Sequence, residues 1–428
     1  MANSVKWLDR LTVLSLCALI LTLPFSKSAV EICIAAALIS WVLKRALSYE
    51  AHASLINLFR PVRTGLNVSI YLFVLAGILS IFASASVSLS LRGLFSKLLK
   101  GVALYFIMAE AISSKKRLNL ILAAMFLSMI VVGADGLVQL IAKQDFIRHY
   151  PIIGVRVSAC FSNPNSFSGW LTIMFPLALS VIFVDKGLWR KGIIKTIMYF
   201  LICLLAICLT MTYSRGAWIG VVLALFFIGI LKKNKFLLIA VPVVIALPFI
   251  IPPSVKERIL TALPFTIAYS IRERLGSIML FADPTRISLW REAMAVVSNF
   301  PVFGCGLNTY SIVAPHYKLT EDGGIYPHNS YLQLTTEMGF VGLIMFVFFT
   351  LMLFVRSLDN MARIKDEFSK NILLGLIAGL LGFLIHSFFD VSFYTLQLAN
   401  LMWFVMGLII AVQRIALKDE ASPGGCNA

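Results

Sequence analysis

The chain has 428 residues, 60% of them hydrophobic and 13% charged, and its mean hydropathy is +0.91. That balance excludes an ordinary soluble domain and fits a polytopic helical membrane protein whose main solvent is lipid. The net charge of +17 points to nucleic acid only until the basic residues are placed along the chain.

Apolar runs recur near 8–25, 29–43, 67–85, 96–113, 118–142, 164–184, 193–211, 216–231, 236–252, 331–355, 371–389 and 396–413. At roughly 20 residues per crossing, they predict about twelve transmembrane helices. The first follows Lys6 and Arg10 but precedes no clean small-residue cleavage site, so it reads as a retained anchor rather than a signal peptide. With both termini cytoplasmic, most of the 37 basic residues fall on the cytoplasmic side, as the positive-inside rule requires. The basic excess is then topological, and no nucleic-acid partner is expected. The expected organisation is transmembrane helices 1–9 in 1–252, an extracytoplasmic loop in 253–330, helices 10–12 in 331–415 and a cytoplasmic tail in 416–428. The tail from Ala421 to Ala428 is expected to be disordered. No repeat of the kind that marks solenoids or many transporters is evident. Cys17, Cys33, Cys203 and Cys208 lie in apolar runs and read as small core residues; Cys305, between two loop glycines, reads as structural.

The interval 253–330 is the one long hydrophilic stretch, and a loop of that length among short connections is where chemistry is expected. Asp283 is placed to cap a helix with Pro284 in its first turn, and Ile287, Trp290, Met294 and Val297 recur at helical spacing as its apolar stripe. Pro301 ends it. Residues 254–280 show a weaker amphipathic pattern that predicts helices lying along the membrane surface.

Three groups carry candidate chemistry. Arg215, in Tyr213-Ser214-Arg215-Gly216, sits at the outer junction of the seventh and eighth spans, where an arginine either snorkels or meets an anion; Gly216 would let a phosphate approach the backbone at a helix start. Arg286 and Arg291 lie on the loop helix, and a second guanidinium beside Arg215 would clamp a diphosphate, since guanidinium forks match phosphate oxygens. His328 precedes the tenth span, with Asn329, Gln333 and Glu337 at four-residue intervals as a polar strip. A neutral imidazole there can take a proton from a hydroxyl. His386 and Asp390 form an i, i+4 pair near the outer end of the eleventh span. His316 and His149 get a structural reading. The acidic residues Asp283, Glu292, Glu321, Asp322 and Glu337 show no metal-ligand spacing, so no metal and no cofactor is expected.

These residues resemble the O-antigen ligase and polymerase superfamily of bacterial envelope glycosyltransferases over about 67–415. The resemblance rests on Phe161-Ser162-Asn163-Pro164-Asn165, Thr212 to Gly216, Arg286 through Trp290, Pro301 with Gly304 and Gly306, Pro327-His328-Asn329-Ser330-Tyr331-Leu332-Gln333 with Glu337 and Gly339, and His386 through Asp390. It implies an all-α, GT-C-like polytopic fold. It also implies inverting, metal-independent transfer of a glycan from undecaprenyl diphosphate, at the outer face of the bacterial inner membrane, to a lipid A-core acceptor. Arg215 and Arg286 would bind the diphosphate and His328 would activate the acceptor. The expected substrate-binding residues around them are Arg291, Trp290, Asn329, Tyr331, Gln333, His386 and Asp390. A polymerase using a second lipid-linked repeat is the alternative within the family, and the outer loop with its histidine favours the ligase. A lipid-linked glycan transporter or a noncatalytic assembly factor are alternatives outside it; transport predicts polar groups near the midplane on discontinuous helices.

Overall fold

Among the described residues, helices form where the apolar runs occur, and several begin at a residue whose side chain satisfies a terminal backbone N–H. The structure, a computed structural model, describes residues 2–48, 61–185, 191–239, 284–318 and 326–421. Helices α1 (Ala2–Thr22) and α2 (Lys27–Leu47) pair through a tight connection in which Ser26 caps α2. Next comes α3 (Asn67–Phe82). Helix α4 (Val87–Gly93) runs on through a π-helical stretch (Leu94–Leu99) into α5 (Lys100–Ala111). Helix α6 (Lys115–Ala142) is capped by Ser114, and α7 (Pro164–Ile182) by Asn163 with Pro164 at its first position, where a missing N–H costs nothing. Helices α8 (Gly192–Met211) and α9 (Arg215–Lys232) follow. The described part of the long loop contributes α10 (Pro284–Asn299) and the short α11 (Tyr310–Val313), and α12 (Ser330–Arg363), α13 (Glu367–His386) and α14 (Leu396–Ala421) complete the chain.

Among the described residues, seven helices, α6, α7, α8, α9, α12, α13 and α14, are long and apolar enough to cross a membrane, and α3 is a shorter apolar helix. The chain is an all-α polytopic membrane protein. The runs at 8–25, 29–43 and 96–113 are helical as well. The ninth expected span, 236–252, lies mostly outside the described residues, as do the amphipathic segment 254–280 and the cap residue Asp283.

The centre of the bundle is α7 against α13, with α14 alongside. In α7 the side chains from Phe167 through Ala178 are buried with few breaks around the helix, so it touches protein on every face. Glycine permits the closest crossings: a Cβ on Gly220 of α9 would collide with the carbonyl of Gly382 in α13, and one on Gly379 would meet the backbone of Ile173. Small residues let membrane helices approach and gain dispersion contacts where water supplies no driving force. At the end remote from the long loop, Asp9 pairs with Lys44 at 2.5 Å and with Arg117, and Arg45 pairs with Glu110.

Helix α12 is not continuous. Gly339 adopts φ 66°, ψ −173°, a backbone region open essentially to glycine. The loop after α10 fills the break. Cys305 N–H donates to the Thr336 carbonyl at 2.8 Å and Gly306 N–H to that of Glu337 at 3.1 Å, while Phe340 N–H and Val341 N–H donate to Pro301 and Val302 carbonyls at 2.8 and 3.3 Å. Four backbone groups beside the kink so find partners in the loop, which is the condition for irregular backbone within a membrane helix. The run 331–355 thus contains a break that its hydropathy does not reveal.

Helix α10 begins where Pro284 predicts, but its buried face is rotated from the expected stripe. Leu289, Glu292, Ala293, Val296 and Val297 are buried, whereas Ile287 and Met294 are exposed. The helix packs against α12 and the turn after α11, and the residues facing those elements decide burial. Cys305 is buried, with its Sγ 3.3 Å from the Thr309 hydroxyl; burial raises its thiol pKa to about 11, consistent with a structural role. Cys203, expected in the core, is exposed on the bundle surface.

Candidate active site

The turn before α12 is built to hold His328. Asn329 caps the helix, its side chain accepting from Tyr331 N–H and Leu332 N–H, each at 3.0 Å. Ser330 ties that first turn to the α13–α14 connection: its N–H donates to the carbonyls of Ser387 (2.9 Å) and Asp390 (3.1 Å), and its hydroxyl to Asp390 at 2.7 Å. From the other side, Trp290 Nε1–H of α10 donates to the Pro327 carbonyl at 2.8 Å, and its ring meets Phe388 edge-on at 5.7 Å. His328 is held between these anchors at φ 44°, a left-handed conformation uncommon for residues other than glycine.

His328 Nδ1 lies 3.2 Å from Asp390 Oδ1. The imidazole is partly exposed, with 42% of its side chain accessible, while the carboxylate is 9% accessible. Burial works against ionisation of Asp390, but the hydrogen bond from His328 and the nearby imidazoles outweigh it and hold its pKa below the usual carboxylate value. An ionised carboxylate on Nδ1–H fixes the tautomer that leaves Nε2 to accept a proton.

This arrangement corrects the expected His386–Asp390 pair. Helix α13 ends at His386, so Asp390 is not one helical turn further along it. Asp390 turns to His328, and His386 is fully buried beside Gly169 of α7.

The arginines approach the same connection one residue earlier. Arg286 Nη1–H donates to the Phe389 carbonyl at 3.0 Å, and a Cβ on Gly216 would meet the Phe389 side chain at 2.7 Å. Phe389 therefore lies between Arg286 and the first turn of α9, whose first residue is Arg215 behind Ser214. Tyr213, at φ 50°, makes the sharp entry to that helix. A third arginine meets this turn. Arg156 Nε–H donates to the Thr212 carbonyl at 2.8 Å and its Nη2–H to Asn165 Oδ1 at 2.6 Å, and Val157 N–H donates to Met211 at 2.9 Å. Sequence reading missed Arg156 because its loop carries no motif; its position two residues before Ser158, facing Phe161 to Asn165, was the available hint.

The remaining expected residues divide. Trp290 and Asn329 hold the histidine turn as described. Arg291, next to Trp290, is exposed and is not drawn toward Phe389 by any described contact. Tyr331 directs its hydroxyl to the Leu384 carbonyl at 2.8 Å and its ring to Phe388 and Phe393, so it clamps α12 to α13. Gln333 and Glu337 do lie in line below Asn329 and are 1% and 2% exposed. Glu337 accepts from Asn308 N–H at 2.7 Å and Tyr310 N–H at 3.3 Å, which fastens the inserted loop. His316 sits 3.2 Å from the Val313 carbonyl, consistent with its structural reading.

Residues 200–347 match the family model described as O-antigen ligase. The match supports the O-antigen ligase and polymerase superfamily. No curated protein matches the chain. The interval matched to the O-antigen ligase family contains Arg215, Arg286 and His328, whereas Arg156, His386 and Asp390 lie outside it. The structure brings residues from both sides of that boundary to one end of the bundle.

Proposed function

We propose that this protein is an O-antigen ligase-like glycosyltransferase of the bacterial inner membrane, acting at the periplasmic face. It moves a glycan from undecaprenyl diphosphate to a lipid A-core acceptor. The observation that carries the reading is the connection 387–395, which presents the Asp390 carboxylate to His328 and the Phe389 carbonyl to Arg286.

In this mechanism the acceptor hydroxyl gives its proton to His328 Nε2 while its oxygen attacks the anomeric carbon. The bond from that carbon to the diphosphate oxygen breaks, and attack from the opposite face inverts the configuration. The electron pair leaves with the diphosphate, where Arg286 and Arg215 stabilise the growing negative charge. Preorganised cations in a water-poor site perform that task well, because no reorganisation is needed as charge develops. One carbonyl bond uses one of the five guanidinium donors of Arg286, so its orientation is fixed while capacity for phosphate oxygens remains. Asp390 stabilises the imidazolium that forms. Arg156 holds the Thr212 turn and so sets the direction of Arg215.

The experiment is reconstitution of the purified chain in liposomes with a lipid-diphosphate glycan and, separately, lipid A-core or a second lipid-linked repeat. Transfer to lipid A-core is the expected result. Transfer only to the second repeat would make the protein a polymerase, and loss of donor to the other leaflet without a new glycosidic bond would make it a transporter.

A further inference from the structure

Beside the histidine turn, on the part of the 387–395 connection past Asp390, lies a polar cavity that the mechanism above does not use. Its volume is about 160 Å³, and its walls include Lys97, Asn308, Gln333, Glu337, Tyr326 and Tyr394. That is several times the roughly 30 Å³ share of one water in the liquid. Gln333 is 1% exposed, yet its Oε1 has no hydrogen-bond partner among the described residues. A buried acceptor left unmatched costs about 1–3 kcal/mol, so this atom calls for a donor from a bound molecule. Lys97 lines the cavity, with Nζ 2.6 Å from Asn308 Oδ1 and 5.4 Å above the Tyr394 ring.

Lys97 and Tyr394 also border a second cavity of about 230 Å³ that is lined mainly by apolar side chains, among them Phe73, Leu98, Leu334, Phe346 and Trp403. A polar chamber opening beside an apolar groove fits an amphiphile. The chamber mixes hydroxyls, an amide, an ammonium and a carboxyl with aromatic faces, which suits the hydroxyls and apolar C–H face of a sugar ring. It does not suit a diphosphate, since Glu337 contributes a carboxyl group and Arg286, with the turn that begins at Arg215, lies instead beside Phe389.

We propose that this chamber binds the terminal sugar of a glycolipid whose hydrocarbon chain occupies the adjoining groove, and that this glycolipid is the acceptor. The inference rests on the glycosyltransferase reading. It gives the site two sides: donor diphosphate at Phe389 with the arginines, acceptor at Val391 and Tyr394, and the His328–Asp390 pair between them.

The test is photolabelling, which needs no turnover. A photoreactive residue replaces Ser311, which lines the chamber, in the full chain in liposomes, with radiolabelled lipid A-core and radiolabelled undecaprenyl-diphosphate glycan offered separately. One of the two should label the protein and be displaced by its unlabelled form, which also identifies the source of the acceptor. Lys97→Met should cut that labelling at least about tenfold, the loss expected for a charged hydrogen bond, and Arg286→Ala should leave it unchanged. Lys97 is exposed, so its substitution leaves the packed core intact, which size-exclusion chromatography checks. Labelling by neither lipid, labelling indifferent to Lys97→Met, or labelling lost in Arg286→Ala would overturn the proposal. Labelling that persists while the parent chain itself transfers no glycan to either acceptor would keep the chamber and reject the catalytic reading, so the two failures are distinguishable.

Discussion

His328 and Asp390 form the pair on which the chemistry turns. Asp390→Asn keeps the shape of the side chain but removes the charge that fixes the imidazole tautomer. Transfer should fall at least about 100-fold, within the range ascribed to general-base catalysis, with donor binding unchanged; equal rates for variant and parent would reject the dyad. The pH dependence has a definite sign. Because the fold lowers the Asp390 pKa, its stabilising contribution is fully present above the ordinary carboxylate value of about 3.9 and is lost as pH falls through the lower folded value. The melting temperature difference between parent and Asp390→Asn in detergent should therefore stay constant from neutral pH to about pH 5 and close only in stronger acid. For Arg286, lysine supplies charge without the fork, so Arg286→Lys should retain less than about a tenth of the transfer rate, reflecting the loss of one charge-assisted hydrogen bond.

At the scale of elements, the break in α12 positions the segment of the long loop that follows α10. Gly339→Ala forces a side chain into a backbone region reserved for glycine and against the Val302 carbonyl, at a cost of at least about 1–3 kcal/mol. A clear drop in melting temperature should follow, and transfer should fall because the 301–310 segment carries Asn308 and, through Glu337, holds the base of the histidine turn. Unchanged stability would mean that the kink is tolerant. The sequence made the helices readable because lipid imposes a strong length and hydropathy signal, and Pro284 marked the start of α10. It did not reveal the kink, since a hydrophobic run reads the same whether its backbone bonds close within the helix or to a loop. Nor did spacing disclose the partner of Asp390. The i, i+4 rule applies only while the helix lasts, and α13 stops at His386.

On the scale of the whole molecule, the site is assembled from α7, α9, α10, α12 and the α13–α14 connection, so function depends on helices far apart in sequence converging at one bundle end. Arg215, Arg286 and His328 were legible as single residues with suitable chemistry. Arg156 and Lys97 were not, because their significance lies in contacts with Thr212, Asn165 and Asn308 across the bundle. If arginines rather than a metal carry the developing charge, transfer should proceed at its full rate in excess chelator, and loss restored by a divalent cation would assign that role to the ion. The most direct measurement is glycan transfer by the reconstituted chain with a lipid-diphosphate donor and a lipid A-core acceptor, comparing the parent with His328→Ala. The account predicts an inverted glycosidic product from the parent and none above background from the variant, with both proteins equally folded. Equal product from the two would contradict it.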